Sequence, residues 1–171
     1  GSLVGDLSAI LIENINPLVN MVRVPSKKVA LLSNFEEKRN RIAEIAIKKH
    51  VTNISGVPSW MMAVINRMLE ITGKQYLDEI WPDLEVFFHG GVAFTPYRDQ
   101  YHRLIRSTKM HYMETYNASE GFFGVQNDPS DAAMLLMIDY GVFYEFIPLE
   151  ELGKPNPVVL PLWEVETGKN Y

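Results

Sequence analysis

Twice in this chain a short extended segment breaks at glycine, and soon afterwards a helix opens on proline. The first instance is Asn53-Ile54-Ser55-Gly56-Val57-Pro58 and the second is Leu84 through Phe88, then His89-Gly90-Gly91, then Thr95-Pro96. Proline suits the first turn of a helix, because its missing N–H has no intrahelical partner there. Glycine ends a strand where the backbone must turn sharply. A unit of strand, turn and helix that repeats in this way specifies an α/β sheet.

The rest of the chain extends that pattern. Leu3, Leu7, Ile10, Leu11 and Ile15 lie at helical spacing, and Pro17 is expected to end that run. Val29–Leu32 reads as extended. Asn34 with Glu37 makes a capping-box-like start to a helix through about Lys49, with Ile42, Ile45 and Ala46 facing inward. The helix opened by Pro58 should stop at Gly73. A shorter helix is expected around Tyr76–Ile80. Leu84–Phe88 is continuously apolar and predicts a strand covered on both faces. The Thr95-Pro96 helix turns Tyr97, Tyr101, Leu104 and Ile105 inward, and His111–Tyr116 is a second strand ending in the loop Asn117–Gly121. Further on, Met134–Ile138 and Val142–Ile147 flank Asp139-Tyr140-Gly141, a hairpin signal. The expected fold is therefore α/β, with a mixed sheet flanked by helices and an antiparallel hairpin in the C-terminal third. No repeat or linker divides residues 1–171, so they read as one unit.

Composition narrows the functional classes. Without cysteine there are no disulfides, thiolate nucleophiles or cysteine-based metal sites. The net charge of −5 divides into +3 over residues 1–109 and −8 over residues 110–171. Neither half carries the dense basic stripe that nucleic-acid binding requires. No apolar run reaches the roughly 20 residues of a membrane helix. The expectation is a cytoplasmic protein with neither nucleic-acid nor membrane partners.

Ligands of open α/β sheets sit beyond the carboxyl ends of the strands. Two such ends carry candidate chemistry. His89-Gly90-Gly91-Val92 lets a flat ligand approach bare backbone, although a plain turn explains the same residues. Tyr116-Asn117-Ala118-Ser119-Glu120-Gly121 places an aromatic ring, a hydroxyl and a carboxylate on one short loop. That set suits a base, a phosphate oxygen and Mg²⁺, for which carboxylate oxygen is a hard ligand. A core tyrosine followed by a solvated turn is the plainer reading. His50, His102 and His111 have no metal-site or triad spacing, so among the histidines only His89 is placed to meet a ligand.

At these residues the chain resembles the auxin-responsive acyl-acid amido synthetases, the Gretchen-Hagen family of adenylate-forming enzymes, and its bacterial members in particular. Further landmarks are Gly5-Asp6-Leu7-Ser8-Ala9-Ile10, Pro25-Ser26-Lys27-Lys28, Ser55-Gly56-Val57-Pro58-Ser59-Trp60 and Leu162-Trp163-Glu164-Val165. The resemblance implies a part of the large N-terminal domain of a ligase that uses ATP and Mg²⁺ with an acyl acid and an amino acid as substrates. The acid is first adenylated with loss of pyrophosphate, and the amine then displaces AMP.

By the family's Tyr-x-x-Ser-Glu motif, Tyr116 would pack on adenine, Ser119 would contact the α-phosphate and Glu120 would help hold Mg²⁺. Gly90, Gly91 and Val92 would line the adenine pocket beside Asn117, and His89, Val57, Trp60 and Tyr97 would border the acyl pocket. No Ser/Thr/Gly-rich phosphate loop followed by Lys occurs in the 171 residues, nor does the family's mobile C-terminal lobe. The chain is accordingly expected to be a fragment that is inactive alone and self-associates through exposed sheet edges. The alternatives are a fragment of a phenylacetate-type acid–CoA ligase, or a non-catalytic binding module of the same fold.

Overall fold

The computed structural model describes residues 7–171. Leu3 and the first residues of the Gly5–Ile10 landmark therefore lie outside the described residues. Three short helices come first: α1 (Leu7–Glu13), α2 (Pro17–Val22) and α3 (Lys27–Ala30). Pro17 opens α2, after Asn16, whose side chain accepts from the Leu18 N–H at 2.9 Å. The stretch expected to be extended, Val29–Leu32, instead lies on and just after α3. Four apolar residues are too few for periodicity to separate strand from helix. Lys27 ties α3 to α1, its Nζ lying 2.8 Å from a Glu13 carboxylate oxygen and donating to the Glu13 carbonyl.

Helix α4 (Phe35–Ala46) starts where the capping pattern predicts, with the Asn34 side chain accepting from the Glu37 N–H at 2.9 Å. Its innermost residues are Ala43 and Ala46, while Ile42 and Ile45 are half-buried. Small residues at that seam let α4 approach α5 (Pro58–Thr72) closely. Helix α5 opens on Pro58 and stops at Gly73, whose φ of 68° is the left-handed C-terminal conformation. Trp81 then closes the far end of α4 by donating its indole N–H to the Ala46 carbonyl at 3.0 Å. That carbonyl also accepts the Lys49 N–H at 3.1 Å, so Trp81 supplies a second donor that ties the loop before β2 to the end of α4.

The main sheet runs β1 (Asn53–Gly56), β2 (Val86–Gly90), β3 (His111–Ala118), β4 (Gly121–Val125) and the short β5 (Leu135–Leu136), in that order. Strands β1, β2 and β3 are parallel and β4 is antiparallel to β3, so the sheet is mixed as expected. β4 was not legible in the sequence: Gly-Phe-Phe-Gly-Val shows no alternation. Helix α5 connects β1 to β2 and α6 (Thr95–Leu104) connects β2 to β3. Right-handed crossovers moving in one direction across a sheet place both helices on the same face.

Burial follows that geometry. Ile54, Phe87 and His89 point into the helix layer and are buried, while the alternate residue Phe88 is 38% exposed. The expectation of a strand covered on both faces is thus corrected at Phe88, whose side of β2 is partly open. The core beneath them joins Ala43 and Ala46 to Met62, Ile65 and Met68 of α5 and to Phe87, Phe94, Tyr101 and Ile105.

Two compact units are present, residues 1–135 and 136–171. In the second, β6 (Glu145–Phe146) pairs antiparallel with β7 (Leu160–Pro161). This is the antiparallel pair of the C-terminal third, and β6 lies in the expected flank Val142–Ile147, but it pairs with β7 and not with the other flank, Met134–Ile138. Those flanks still approach each other, because the Tyr144 hydroxyl donates to the Met137 carbonyl at 3.2 Å. Gly141 takes the positive φ of a turn, 73°. Phe146 meets Tyr171 edge-on, with ring centroids 5.9 Å apart.

One buried hydrogen bond ties α6 to the start of α5. The Tyr101 hydroxyl, on α6, donates to the Pro58 carbonyl at the start of α5 at 2.8 Å. Tyr101→Phe removes this bond while the Pro58 carbonyl keeps its place in the α5 ladder, and urea denaturation should show a loss of about 1 kcal/mol. A change within experimental error would show that the bond contributes nothing.

Candidate functional site at the strand ends

Because β1, β2 and β3 are parallel, their carboxyl ends open on one edge of the sheet. Register aligns Gly56 with His89, His89 with Glu114, and Gly90 with Thr115. The two motifs singled out in the sequence therefore end on adjacent strands. Gly90 presses directly on β3. A Cβ placed there would lie 2.3 Å from the Thr115 carbonyl oxygen and 2.9 Å from its hydroxyl oxygen. Gly91 has a φ of 80°, and a Cβ there would meet the Val57 side chain at 3.3 Å. Bare backbone at Gly90-Gly91 is thus a steric requirement of the fold as well as a surface a planar ligand can approach.

Thr115 was not identified from the sequence, where it reads as an ordinary β-branched strand residue. Its hydroxyl donates to the His89 carbonyl at 3.1 Å and pins the end of β2 just before the glycines. On the next residue, Tyr116 is 56% exposed and tilts against Phe123 at 5.3 Å. The register shifts between Tyr116 and Asn117, because β4 carries one extra residue opposite them. Such a bulge re-aims neighbouring side chains. Ser119 and Glu120 form the exposed two-residue turn of the β3–β4 hairpin, with Ala118 paired to Gly121.

The acyl-pocket candidates are more dispersed. Val57 abuts Gly91. His89 is only 3% exposed, and its ring stacks on Phe94 with centroids 4.1 Å apart. Tyr97 is half-buried and packs against the core. Trp60 is 56% exposed and meets Phe35 edge-on at 4.9 Å. Val92 is 42% exposed at the rim. A broad depression along α4, lined by residues including Asn34, Asn40 and Glu44, contains none of these residues.

Beneath the strand ends the chemistry is aromatic and uncharged. Phe94 lies between His89 and Tyr112, with Arg98 over its ring at 5.3 Å. Burial, reinforced by the Arg98 charge, pulls the His89 pKa down to about 4, so the ring is neutral near pH 7. Burial pushes Tyr112 up to about 12 against the opposing pull of Arg98, and raises Tyr101 well above the usual phenol range. His89 Nδ1 and the Tyr112 hydroxyl are buried without a hydrogen-bond partner among the described residues. No group of three or more His, Asp or Glu side chains able to hold a metal occurs among the described residues. Glu120 offers a single carboxylate, the kind of partial site that suits an Mg²⁺ ion carried by phosphates.

A mixed α/β sheet whose parallel strands deliver a glycine-lined turn and an exposed tyrosine to one edge has the layout of the open α/β class, whose ligands sit beyond the carboxyl ends of the strands. Comparison with known families makes the assignment specific. The GH3 family N-terminal domain matches residues 2–110, and the GH3 family central domain matches residues 135–171. The chain belongs to the GH3 family, the adenylate-forming acyl-acid amido synthetases. No curated protein matches it. The Tyr116–Glu120 segment falls in the stretch between the two matched regions. Among the described residues no helix is long and apolar enough to cross a membrane.

Two stability predictions follow from this geometry. Gly90→Ala should cost about 3 kcal/mol in urea denaturation, because backbone cannot retreat from the new methyl group. Gly73→Ala has a left-handed φ but open space around it, and should cost about 1–2 kcal/mol. Equal losses would remove the steric argument at Gly90.

His89 should also make stability pH-dependent. Its folded pKa lies below the ordinary 6.5, so the unfolded chain takes up the proton first. The contribution is complete above pH 6.5 and declines as pH falls towards 4, by about 3 kcal/mol in all. His89→Leu should flatten that part of the profile. An unchanged slope between pH 6.5 and 4 would contradict the assignment.

Proposed function

We propose that these 171 residues carry the adenine-facing and metal-facing part of the adenylation site of a GH3 acyl-acid amido synthetase. In this reading Tyr116 packs against adenine, and the backbone of Gly90, Gly91 and Val92 lines the pocket with Asn117. Ser119 contacts the α-phosphate. Glu120 supplies an oxygen to Mg²⁺, which neutralises phosphate charge when bound. Val57, His89, Trp60 and Tyr97 border the acyl acid. The observation that carries the proposal is the adjacency of the two motifs. Gly90 abuts Thr115, and Tyr116 is the next residue along β3.

The enzyme of which these residues form a part would join an acyl acid to an amino acid at the expense of ATP. The bacterial branch of the family, an auxin-like acid and a cytoplasmic location belong to the same proposal, as does the assignment of residues 1–171 to one large domain. Family membership weighs against a phenylacetate-type acid–CoA ligase. A binding module that has lost the chemistry is the reading from a different class.

Transfer of the adenylyl group to a carboxylate, with loss of pyrophosphate, depends on positioning and on charge neutralisation. The 171 residues contain no phosphate loop with its lysine. Pyrophosphate exchange by this chain alone should therefore stay at background with any acyl acid, and exchange above background would overturn the inactivity proposed here. Binding should survive in weakened form. Calorimetry should show that Tyr116→Ala weakens ATP·Mg²⁺ binding at least about fivefold, since a stacked base contributes roughly 1–3 kcal/mol. Glu120→Gln should reduce the gain in affinity that Mg²⁺ confers. Equal affinities for all three proteins would refute the residue roles, and no ATP binding by any of them would favour the module without the chemistry.

A further inference from the structure

Around one ring of the first unit, three polar groups stand without partners. Phe94, just before α6, stacks on His89 and on Tyr112. Each neighbour brings a buried atom with no hydrogen bond among the described residues, His89 Nδ1 and the Tyr112 hydroxyl. The third group is Arg98, exposed in the first turn of α6, whose guanidinium lies 5.3 Å from the centre of the same ring.

Arg98 differs from the other arginines. Arg41, Arg67 and Arg106 meet Glu37, Glu70 and Asp78. Arg23, Arg39 and Arg103 bond to Asn20, Asn40 and the Asp99 carbonyl. Arg98 has neither an ion pair nor a hydrogen bond among the described residues, and its charge reaches both His89 and Tyr112. A buried polar atom left unpaired is costly. Two of them beside an unpaired cation, at the strand-end edge where α6 begins, point to a ligand. The planar N–H fork of arginine matches a carboxylate, which takes two parallel hydrogen bonds from it. His89 is neutral at pH 7, so the place holds one positive charge and suits a singly charged anion better than a polyphosphate.

The reaction proposed above involves two carboxylates. That of the acyl acid must be free to attack the α-phosphate. The acceptor amino acid reacts through its nitrogen, which attacks the acyl carbonyl carbon as the bond to AMP breaks and its proton passes to water. Its α-carboxylate is unchanged and can be held throughout. Resting on that reading, we propose that Arg98, with the Tyr112 hydroxyl as a second donor, is the α-carboxylate subsite for the acceptor amino acid and selects amino acids over simple amines.

Chemical-shift titration of the full chain, followed at the Arg98 side-chain Nε–H and the Phe94 and Arg98 amides, tests it. L-Alanine should move these signals, and ethylamine, which lacks the carboxylate, should not. Arg98→Gln should weaken L-alanine binding at least about tenfold, the loss expected for a charge-assisted bidentate pair. Arg98→Lys should recover part of it. Tyr112→Phe removes a hydroxyl that the free chain leaves unpaired, so it should weaken L-alanine binding without lowering stability. A separate titration with ATP and Mg²⁺ should give the same shifts at Tyr116–Glu120 in the parent and in Arg98→Gln. Failure of the nucleotide reading is seen there, and failure of the carboxylate subsite is seen at Arg98. No response of Arg98 to L-alanine, or unweakened binding by Arg98→Gln, overturns the proposal. An equal response to phenylacetate overturns it in favour of the acyl acid's carboxylate, and an equal response to inorganic phosphate in favour of a phosphate.

Discussion

The contact between Gly90 and Thr115 is the constraint on which the candidate site depends. A side chain at Gly90 would collide with backbone, so β2 reaches its final register on β3 only because none is present. The Thr115 hydroxyl then holds the preceding carbonyl, that of His89. These two features bring the end of β2 against β3 one residue before Tyr116. The smoothness that lets two strands close on each other is the same property that lets a planar ring approach the turn.

Behind this contact lies a layer that keeps the strand ends rigid. Phe87, Phe94, Tyr101 and Tyr112 pack in mutual edge and tilted contacts, and His89 joins them as a neutral ring. Aromatic pairs of this kind add roughly 0.5–1.5 kcal/mol each beyond simple burial. The hydroxyl of Tyr101 extends the layer to Pro58, so α6 is anchored to the start of α5, just after β1. Pre-organisation of this sort matters in a reaction whose catalysis is largely positioning. A histidine held neutral inside the layer contributes packing at pH 7, and its cost appears only in acid.

The legible parts of the sequence were those governed by local backbone rules. Asn34, Pro58, Gly73 and Thr95-Pro96 each mark a helix end that the structure shows, because capping and proline geometry depend on only a few neighbours. Long-range pairing was less legible. β4 consists of two glycines, two phenylalanines and a valine, a composition that fits a loop until β3 supplies its ladder. β6 chose β7 over the nearer flank of the Asp139–Gly141 turn. The exposure of Phe88 follows from crossover handedness, which no local pattern encodes. In the candidate site the glycines and Tyr116 stood out as turn and loop residues. Thr115 did not, because its role comes from a strand partner 26 residues away.

The central claim is that Gly90–Val92 and Tyr116–Glu120 together form one side of an ATP site. Amide chemical shifts during titration of the chain with ATP and Mg²⁺ test it most directly. The account predicts shifts concentrated at Gly90, Gly91, Val92, Tyr116, Asn117, Ser119 and Glu120, with residues of α4 unmoved. Shifts absent from both strand ends at saturating nucleotide, or centred elsewhere in the chain, would contradict it.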